Sequence, residues 1–241
     1  MNILITGSGS GIGRFLAENL AGQSHTVFGL THDMCNIECY TELERCAAEI
    51  SQKTDRIDGI ITCAAVVHPI GDSLKVDINE WSKTIDVNLK GTFFTLRAFQ
   101  DLLKKSRRAK AILFSGGGAT ASRPYFSAYA VSKTGVVRLA EVIADECPWM
   151  DVNAIAPGAT KTKMTQAVID AGPSVSGQKE YDEALTHTIK GLPKILGLVQ
   201  FLLSEKSDGI SGRLIAAQWD DWIHFSTVLE KNLYRLRRLT A

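Results

Sequence analysis

The amino-acid sequence predicts an α/β fold, a doubly wound parallel sheet arranged in three layers. The first observation is that short, β-rich apolar runs alternate with longer runs of helical period. The second is that the short runs are apolar at nearly every position, as in strands covered by helices on both faces. The third is size, because 241 residues suffice for one large domain with a substantial core.

The predicted strands and helices follow each other in order. The apolar runs predict strands at 3–5, 26–30, 59–62, 111–115, 151–155 and 213–216. Between them, apolar residues recur at helical spacing at 14–20, 40–50, 78–104, 128–145 and 194–203. In such a sheet ligands bind at the carboxyl ends of the strands, where the strand order reverses.

The segment 160–193 interrupts this alternation. It carries three glycines and two prolines among polar residues, so only short helical pieces are expected. A segment of this kind after a strand end predicts a lid over a substrate, and an ordinary surface excursion is the alternative. Because the sequence shows no internal repeat or interdomain linker, residues 1–241 are expected to form a single domain.

Charge and composition argue against several classes of protein. The formal net charge is +1, so no broad field attracts nucleic acid or an anionic membrane. No apolar run approaches the roughly 20 residues of a membrane-spanning helix. The first strand begins at Asn2 and leaves no room for a signal peptide, so we expect a cytoplasmic protein. The five cysteines include no CxxC pair, so reduced thiols are expected and a metal site is not.

A glycine-rich turn joins the first predicted strand to the first predicted helix. Its glycines follow a Gly-xxx-Gly-x-Gly spacing in the sequence Thr6-Gly7-Ser8-Gly9-Ser10-Gly11-Ile12-Gly13. Glycine lets the backbone approach a pyrophosphate, while a helix N-terminus presents free N–H groups and a positive dipole end. The turn therefore predicts dinucleotide binding in a Rossmann-type fold. The candidate phosphate-binding residues are Gly7, Ser10, Gly11, Ile12 and Gly13.

Five ordered motifs make the chain resemble the short-chain dehydrogenase/reductase family from Asn2 to about Trp219. They are the glycine turn, Asp58-Gly-Ile-Ile-Thr-Cys-Ala-Ala65, Asp86-Val-Asn-Leu-Lys-Gly91, Tyr129-Ala-Val-Ser-Lys133 and Asn153-Ala-Ile-Ala-Pro-Gly158. The resemblance implies an NAD(P)-dependent oxidoreductase that transfers hydride between nicotinamide and a carbinol or carbonyl carbon. It also implies a small-molecule carbonyl or alcohol substrate and a homo-oligomer, either a dimer or a tetramer.

The resemblance assigns the chemistry to Tyr129 and Lys133. They are four residues apart in a predicted helix and therefore share one of its faces. A phenol is a poor acid or base near neutral pH because its unperturbed pKa is about 10, and a nearby ammonium lowers that pKa. By resemblance, Tyr129 is the general acid/base and Lys133 lowers its pKa and holds the nicotinamide ribose. Asn88 resembles the family residue that steadies a water-linked proton path.

The family's catalytic serine lies thirteen residues before the tyrosine, and this chain has Gly116 there. If the run Gly116-Gly117-Gly118 lets the backbone reshape, Ser115 or an N–H group can supply the donor. In a regular strand, neighbouring side chains point to opposite faces, so Ser115 need not reach the place of a side chain at position 116. Alternatively, the hydroxyl of Thr120 or Ser122 serves as the donor, or the protein has weak or absent turnover. We take Ser115 as the fourth candidate catalytic residue.

The same resemblance extends the cofactor contacts to three further segments. Cys63, Ala64 and Ala65 would lie beside the adenosine half, where Thr62-Cys-Ala-Ala65 replaces the family's Asn-Asn-Ala-Gly. Asn36-Ile37 resembles an Asp-Val step that contacts adenine, with a simple turn asparagine as the alternative. A third segment, with Pro157, Gly158, Thr160 and Thr162, resembles the family's contact with the nicotinamide carboxamide. A routine turn is the alternative there as well.

The preference between NAD and NADP is determined after the second strand. An acidic side chain there holds the ribose 2′-OH, whereas an arginine accepts a 2′-phosphate. This chain has Asp33 and no Lys or Arg in that segment or in the glycine turn before Gly13. The cofactor is therefore NAD or NADP, with a slight lean to NAD.

Two other functions remain alternatives to the oxidoreductase. A catalytically weak NAD(P)-binding regulatory protein is suggested by Gly116 in place of the serine. A sugar-nucleotide-modifying enzyme that uses NAD transiently is the other, and the short chain argues against it. The C-terminal residues Trp219 and Trp222, which lie beside acids, fit a subunit interface or a sugar-binding surface.

Overall fold

The computed structural model describes residues 1–225, 230 and 233–237. Within these residues the strands form one parallel sheet in the order β2-β1-β3-β4-β5-β6. They are β1 (Asn2–Thr6), β2 (Thr26–Leu30), β3 (Gly59–Thr62), β4 (Ala109–Phe114), β5 (Met150–Ala156) and β6 (Arg213–Ala216). The predicted α/β class and the predicted strands are confirmed, three of them with the predicted boundaries and three with boundaries shifted by one or two residues.

Helices cover both faces of the sheet. They are α1 (Gly11–Ala21), α2 (Tyr40–Ser51), α3 (Ile78–Ile85), α4 (Gly91–Leu103), α5 (Ser127–Glu146), α6 (Lys163–Ala171), α7 (Pro173–Ser176), α8 (Gln178–Thr186) and α9 (Leu192–Leu203). Across the described part of the chain, none of them is both long enough and apolar enough to cross a membrane.

Successive residues of a strand lie on opposite faces of the sheet and pack into different cores. On β1, Leu4 packs with residues of α2, α4 and α5, whereas Ile3 and Ile5 pack with residues of α1 and α9. All three side chains are fully buried. Burying an aliphatic side chain of this size stabilises a fold by about 1.5–3 kcal/mol. The sheet is therefore the middle of three layers, as predicted.

The strand order reverses between β1 and β3. The chain passes from β1 through α1 to β2 on one side, then returns through α2 to β3 on the other side. The register pairs Thr6 of β1 with both Leu30 and Thr62, so the three strands end side by side. A crevice at such a reversal is where doubly wound sheets bind ligands.

The structure divides the predicted helix 78–104 into α3 and α4, joined by a π-helical turn at Asp86–Lys90. A Cβ on Gly91 would lie only 2.7 Å from Cδ1 of Ile37, so the backbone approaches the core closely here. The wider turn carries Asn88, which is fully buried. The predicted helical spacing over 78–104 therefore corresponds to a continuous helical segment, and the π-helical turn inside it is a feature that apolar spacing did not indicate.

The segment 160–193 consists mainly of the short helices α6, α7 and α8. Thr162 begins α6 with a capping box, since its hydroxyl accepts from the N–H of Thr165 and its own N–H donates to the Thr165 hydroxyl. Val168 of α6 and Ala184 of α8 pack with Tyr129 in a small apolar cluster. The segment therefore contacts the helix on which the predicted chemistry lies.

A buried charge network joins β4 and β5 near their amino-terminal ends, away from the crevice. Asp151 is 2% exposed, and it accepts hydrogen bonds from Lys110 at 2.8 Å and from Arg108 at 2.7 and 2.6 Å. Lys110 also donates to Asp208 at 2.6 Å. Burial acts to raise the pKa of Asp151, but the two cations outweigh it and keep that pKa below its ordinary value.

Candidate active site

The glycine turn after β1 packs directly on the end of β3. Gly7 has a φ of 70°, and a Cβ there would lie 2.7 Å from the backbone nitrogen of Ala64. A Cβ on Gly13 would overlap the carbonyl oxygen of Gly7. Both positions therefore require glycine for close packing, while the outer part of the turn, 9–11, is exposed at the crevice.

Helix α1 begins at the crevice with no side chain capping its first turn. Ser10 is the N-cap residue, in extended conformation, and its side chain makes no cap hydrogen bond. Ile12 packs against the core beneath the turn. Across the crevice, Cγ2 of Thr162 lies 3.7 Å from where a Cβ on Gly11 would be. The predicted phosphate-binding residues and Thr162 thus face one crevice, with free N–H groups and a positive dipole end directed into it.

The residues that follow β3 form a neighbouring wall of this crevice. The N–H of Ala64 donates to the hydroxyl of Thr6 at 3.3 Å, and Ala65 is the next residue along the wall. Cβ of Cys63 lies 3.2 Å from the position of a Cβ on Gly13. Burial raises the pKa of the Cys63 thiol, which keeps it neutral. The resemblance places an asparagine at this position. Cys63 supplies packing there but lacks the amide hydrogen bonds of that asparagine.

Asn88 connects the end of β3 to helix α5. Its Oδ1 accepts from the N–H of Val66 at 2.8 Å, and its Nδ2 donates to the Val66 carbonyl at 2.9 Å and the Ser132 hydroxyl at 3.0 Å. The Ser132 hydroxyl donates in turn to the carbonyl of Tyr129 at 2.7 Å. Both ends of the amide are engaged, so Asn88 joins the backbone at Val66 to α5 through the Ser132 hydroxyl. Its part in a proton path stays a prediction.

Tyr129 and Lys133 are buried next to each other on α5, 8% and 2% exposed. Nζ of Lys133 lies 5.7 Å from the centroid of the Tyr129 ring and donates to the carbonyl of Phe114 at 2.8 Å. Burial raises the pKa of Tyr129, and the cation of Arg123 opposes this. Burial also lowers the pKa of Lys133 to about 8, with Cys63 acting in the opposite direction. The four-residue spacing brings the pair together, whereas a lowered pKa of Tyr129 stays a prediction.

Gly116 lies directly against the hydroxyl of Tyr129. A Cβ at this position would overlap Oη and would approach Cζ to 3.2 Å. The nearby Ser115 is 3% exposed, and its hydroxyl donates to the carbonyl of Lys133 at 3.1 Å. A role for Ser115 as a donor to substrate, still a prediction, therefore requires it to exchange this hydrogen bond. The alternative hydroxyls of Thr120 and Ser122 are exposed.

The connection after β2 places Thr31 against the glycine turn. Cγ2 of Thr31 lies 3.2 Å from the position of a Cβ on Gly9. Asp33 is exposed in the tight turn that Cys35 closes by donating its N–H to the Thr31 carbonyl at 3.0 Å. A contact of Asp33 with the ribose stays a prediction.

Asn36 and Ile37 make contacts within the protein. Oδ1 of Asn36 accepts from the N–H of Glu38 at 3.1 Å, which is the hydrogen bond of a turn asparagine. Ile37 is buried and packs against Gly91. These contacts account for both residues structurally, and their contact with adenine stays a prediction.

The turn after β5 is held by a residue near the C-terminal end of the described chain. Gly158 has a φ of 80°, and Nε2 of Gln218 donates to the carbonyls of Pro157 at 3.2 Å and Gly191 at 3.0 Å. Thr160 is buried, with its hydroxyl 3.4 Å from the Gly158 carbonyl. Sequence motifs gave no indication of Gln218, since its partners are main-chain atoms far along the chain.

Arg123 lies next to Tyr129 without belonging to any of the motifs. Its guanidinium carbon is 4.1 Å from the ring centroid of Phe126 and 5.5 Å from that of Tyr129. Its Nε and terminal nitrogen donate to one carboxylate oxygen of Glu180 on α8, at 3.0 and 2.7 Å. The two residues are 57 positions apart, so no local spacing could have indicated the pair.

The family of the chain follows from comparison with known proteins. A family profile described as enoyl-(acyl carrier protein) reductase matches residues 17–218, most of the chain. This chain belongs to the short-chain dehydrogenase/reductase family. The resemblance seen in the sequence motifs is therefore confirmed.

Relatives of this short-chain dehydrogenase/reductase share its length and its fold. Human dehydrogenase/reductase SDR family member 4 is 27% identical over 241 residues, covering 88% of this chain and 84% of the human protein. Ligand-free aldohexose dehydrogenase of Thermoplasma acidophilum matches with a TM-score of 0.79 and 21% identity, covering 89% of this chain and 91% of its own. A putative short chain dehydrogenase of Escherichia coli CFT073, complexed with NADPH, matches with a TM-score of 0.77 and 25% identity, covering 90% and 96%.

These findings establish the class of reaction and of cofactor. As a short-chain dehydrogenase/reductase, the chain is an oxidoreductase acting on a CH–OH or C=O group, and its family binds NAD(P). The crevice fits such a dinucleotide, because Gly7 and Gly13 hold the turn flat where a side chain would collide with backbone. The uncapped first turn of α1 offers N–H groups to a pyrophosphate.

Proposed function

We propose that this protein transfers hydride between the nicotinamide of NAD(P) and a carbinol or carbonyl carbon, with Tyr129 as the general acid/base assisted by Lys133. One observation carries the proposal. The hydroxyl of Tyr129 lies against Gly116, just beyond the end of β4, at the same carboxyl edge of the sheet as the glycine turn. Acid/base chemistry and dinucleotide binding are thus available at one edge.

Each residue has a definite part in the proposed reaction. Bound nicotinamide supplies the hydride in the reductive direction and accepts it in the oxidative direction. Tyr129 gives a proton to the carbonyl oxygen in reduction and takes one from the alcohol in oxidation. Lys133 holds the nicotinamide ribose and, as a cation, favours the phenolate of Tyr129. Asn88, bonded to Val66 and Ser132, keeps the walls of the site together and steadies the proton path.

The donor to the reacting oxygen is the least conventional part. We assign it to Ser115, whose hydroxyl would release the Lys133 carbonyl and turn to the substrate. Losing one donor to a developing oxyanion typically costs a factor of about 10²–10³ in rate. A substituted donor therefore explains an active enzyme better than the absence of one.

A second function, a catalytically weak NAD(P)-binding regulatory protein, is favoured by the environment of Tyr129. Its hydroxyl packs against Gly116 and burial raises its pKa, which opposes proton release near neutral pH. Such a protein would bind the dinucleotide and respond to it without measurable turnover. The two functions differ in one measurable quantity, the rate of nicotinamide oxidation or reduction.

The proposal is tested by following nicotinamide absorbance with NADH, NADPH and their oxidised forms against ketones, alcohols and sugar nucleotides. Tyr129→Phe should abolish turnover while dinucleotide affinity, measured by fluorescence titration, stays within a factor of about three, because the phenyl ring is retained. Tyr40→Phe is the matched control, since Tyr40 lies on α2 against Phe94 and should leave the rate unchanged. Full turnover in Tyr129→Phe would refute the assignment, and a complete lack of turnover with every substrate class would favour the regulatory protein.

We further propose that residues 1–241 form one dinucleotide-binding and catalytic domain in which 160–193 is the lid over the substrate. Packing of Val168 and Ala184 with Tyr129 supports this position of the lid. The cofactor is proposed to be NAD, because Asp33 lies after β2 and the turn carries no cation before Arg14. Against this, two structural neighbours were solved with NADP or NADPH.

We also propose a cytoplasmic homotetramer. Exposed apolar side chains on α4 and α5, Phe93, Val131 and Val142, support self-association. Free thiols at all five cysteines support a reducing compartment. Light scattering of the purified protein and fractionation of cells that produce it test the two statements separately.

A further inference from the structure

The connection from β4 to α5 contacts the segment 160–193 at two points, one on α8 and one just before it. Arg123 donates two hydrogen bonds to Glu180, and the two side chains are only 18% and 22% exposed. Two residues later, the ring of Tyr125 lies 3.0 Å from where a Cβ on Gly177 would be. The connection that leads into the helix of Tyr129 is therefore held by the segment 160–193.

The guanidinium of Arg123 lies near both the ring of Tyr129 and the glycine run that follows β4. Its carbon lies 5.5 Å from the ring centroid, and one terminal nitrogen lies 3.7 Å from the Cβ position of Gly117. The hydroxyl of Tyr129 lies against the preceding residue, Gly116. The Arg123 cation and the Tyr129 oxygen therefore lie near consecutive glycines, and the first of these, Gly116, stands where the family has a serine.

We propose that Arg123 is a positioning residue that stabilises the phenolate of Tyr129, and that Glu180 holds the guanidinium in place and limits its effect. The proposal rests on Tyr129 being the general acid/base. In this proposal, Gly116 has no side chain to stabilise the phenolate, and the cation of Arg123, which lies outside α5, supplies part of that stabilisation. It also makes the ionisation of Tyr129 depend on whether α8 lies against the site.

Among residues 1–225, 230 and 233–237, other charged and titratable groups lie on α5, at the end of β3 and on the lid side of Tyr129. Lys133 lies on the same helix, 5.7 Å from the ring centroid, and Cys63 faces it from the end of β3. On the lid side, Glu183 and His187 lie near Arg123 and Glu180, and His187 approaches the Thr165 hydroxyl at 3.3 Å. Burial lowers the pKa of His187, so its ring is neutral at alkaline pH, where a phenol titrates. His68, Lys163 and Asp170 line a separate surface cavity.

The proposal makes predictions of opposite sign for the two partners. Arg123→Gln removes the cation and leaves Glu180, so the pKa of Tyr129 should rise. Glu180→Gln leaves an unopposed cation, so the pKa of Tyr129 should fall. The double variant removes both charges and should return close to the original value. A purely structural role, in which the pair only attaches the lid, would change all three variants in the same direction.

The pKa of Tyr129 is measurable without a substrate. Ultraviolet difference titration records tyrosinate formation, and subtracting the same titration of Tyr129→Phe isolates this residue. We expect shifts of about half a pH unit or more, upward for Arg123→Gln and downward for Glu180→Gln. Glu183→Gln is the matched control, because it removes an exposed carboxylate from the same helix and should shift the titration by less. Arg123→Lys retains the charge and should titrate near the original pKa.

Each outcome decides between the alternatives. Opposite shifts support the proposal, while shifts of the same sign, or no shift in Glu180→Gln with the fold intact by circular dichroism, overturn it. Loss of turnover in Tyr129→Phe tests the proposed function separately, in a different assay. If that variant keeps its activity, the proposed function fails even where the titration shows the coupling, so the two failures are distinguishable.

Discussion

Adding one methyl group at Gly116 tests the contact on which the geometry of Tyr129 depends. In Gly116→Ala the new Cβ would overlap Oη of Tyr129 and lie 3.2 Å from Cζ. Overpacking of a buried site costs about 1–3 kcal/mol. For a chain of this size that corresponds to a fall in melting temperature of roughly 2–12 °C.

A double-mutant cycle identifies the atom responsible. In the Tyr129→Phe background Oη is absent and the closest ring atom to the new Cβ is Cζ at 3.2 Å, which a small shift accommodates. The cost of Gly116→Ala should therefore fall below about 1 kcal/mol. Denaturant unfolding of the four proteins, followed by circular dichroism, gives the coupling. Gly22→Ala is the control, since Gly22 has a φ of −65° and a Cβ there would meet nothing closer than 3.5 Å.

An equal cost of Gly116→Ala in both backgrounds would refute this reasoning. The same overlap predicts that Gly116→Ser lowers turnover, even though it introduces the hydroxyl found elsewhere in the family, because its Cβ displaces the phenol oxygen. A rise in turnover would mean that Tyr129 moves readily.

Three further predictions concern Lys133, Asp33 and Asp151. Lys133→Met should stabilise the protein near pH 7, because burial lowers the pKa of the ammonium from 10.5 to about 8 and so opposes folding while both states are charged. Between pH 8 and 10.5 the unfolded chain binds more protons than the folded protein, so the free energy of unfolding of the unsubstituted protein should rise by at most about 3 kcal/mol. Denaturant unfolding of Lys133→Met should lack this rise. Asp33→Ala should weaken the binding of NAD roughly tenfold more than that of NADP in fluorescence titrations. Equal losses of affinity for the two cofactors would show that Asp33 does not contact the ribose. Asp151→Asn should lower the free energy of unfolding by about 3 kcal/mol, because it removes the buried carboxylate that Arg108 and Lys110 share and leaves Lys110 with Asp208 alone, without changing dinucleotide affinity. The pKa of Asp151 is depressed in the folded protein, so its contribution is present above the unfolded pKa of about 3.9 and is lost as pH falls through the folded value, which acid unfolding of the two proteins compares.

Local sequence signals predicted the frame of the site well. The glycine spacing after β1 predicted a turn that approaches its neighbours, and Gly7 and Gly13 do pack against backbone. The four-residue interval predicted that Tyr129 and Lys133 share a face of one helix, and both lie buried on α5. Each of these features depends on residues close together in the chain, which is why a periodicity or a motif could indicate it.

Features that depend on distant contacts were beyond these signals. The π-helical turn at Asp86–Lys90 leads into Gly91, which packs against Ile37, a residue far earlier in the chain. The pair Arg123 and Glu180 likewise joins a loop to a helix with no fixed spacing between them. The hydroxyl of Ser115 could be located in the sequence, but only the packed structure shows that it donates to a main-chain carbonyl.

Gln218 has a consequence for how this fold can diversify. Its amide joins the carbonyls of Pro157, just after β5, and Gly191, just before α9, so the two ends of the intervening stretch are held close together. With the ends fixed, doubling the length of that stretch adds only about 0.6 kcal/mol of closure entropy. If 160–193 is the substrate lid as proposed, an exchange of residues 163–190 should change the substrate preference, while the glycine turn and Thr162, which lie outside that range, keep their places at the crevice.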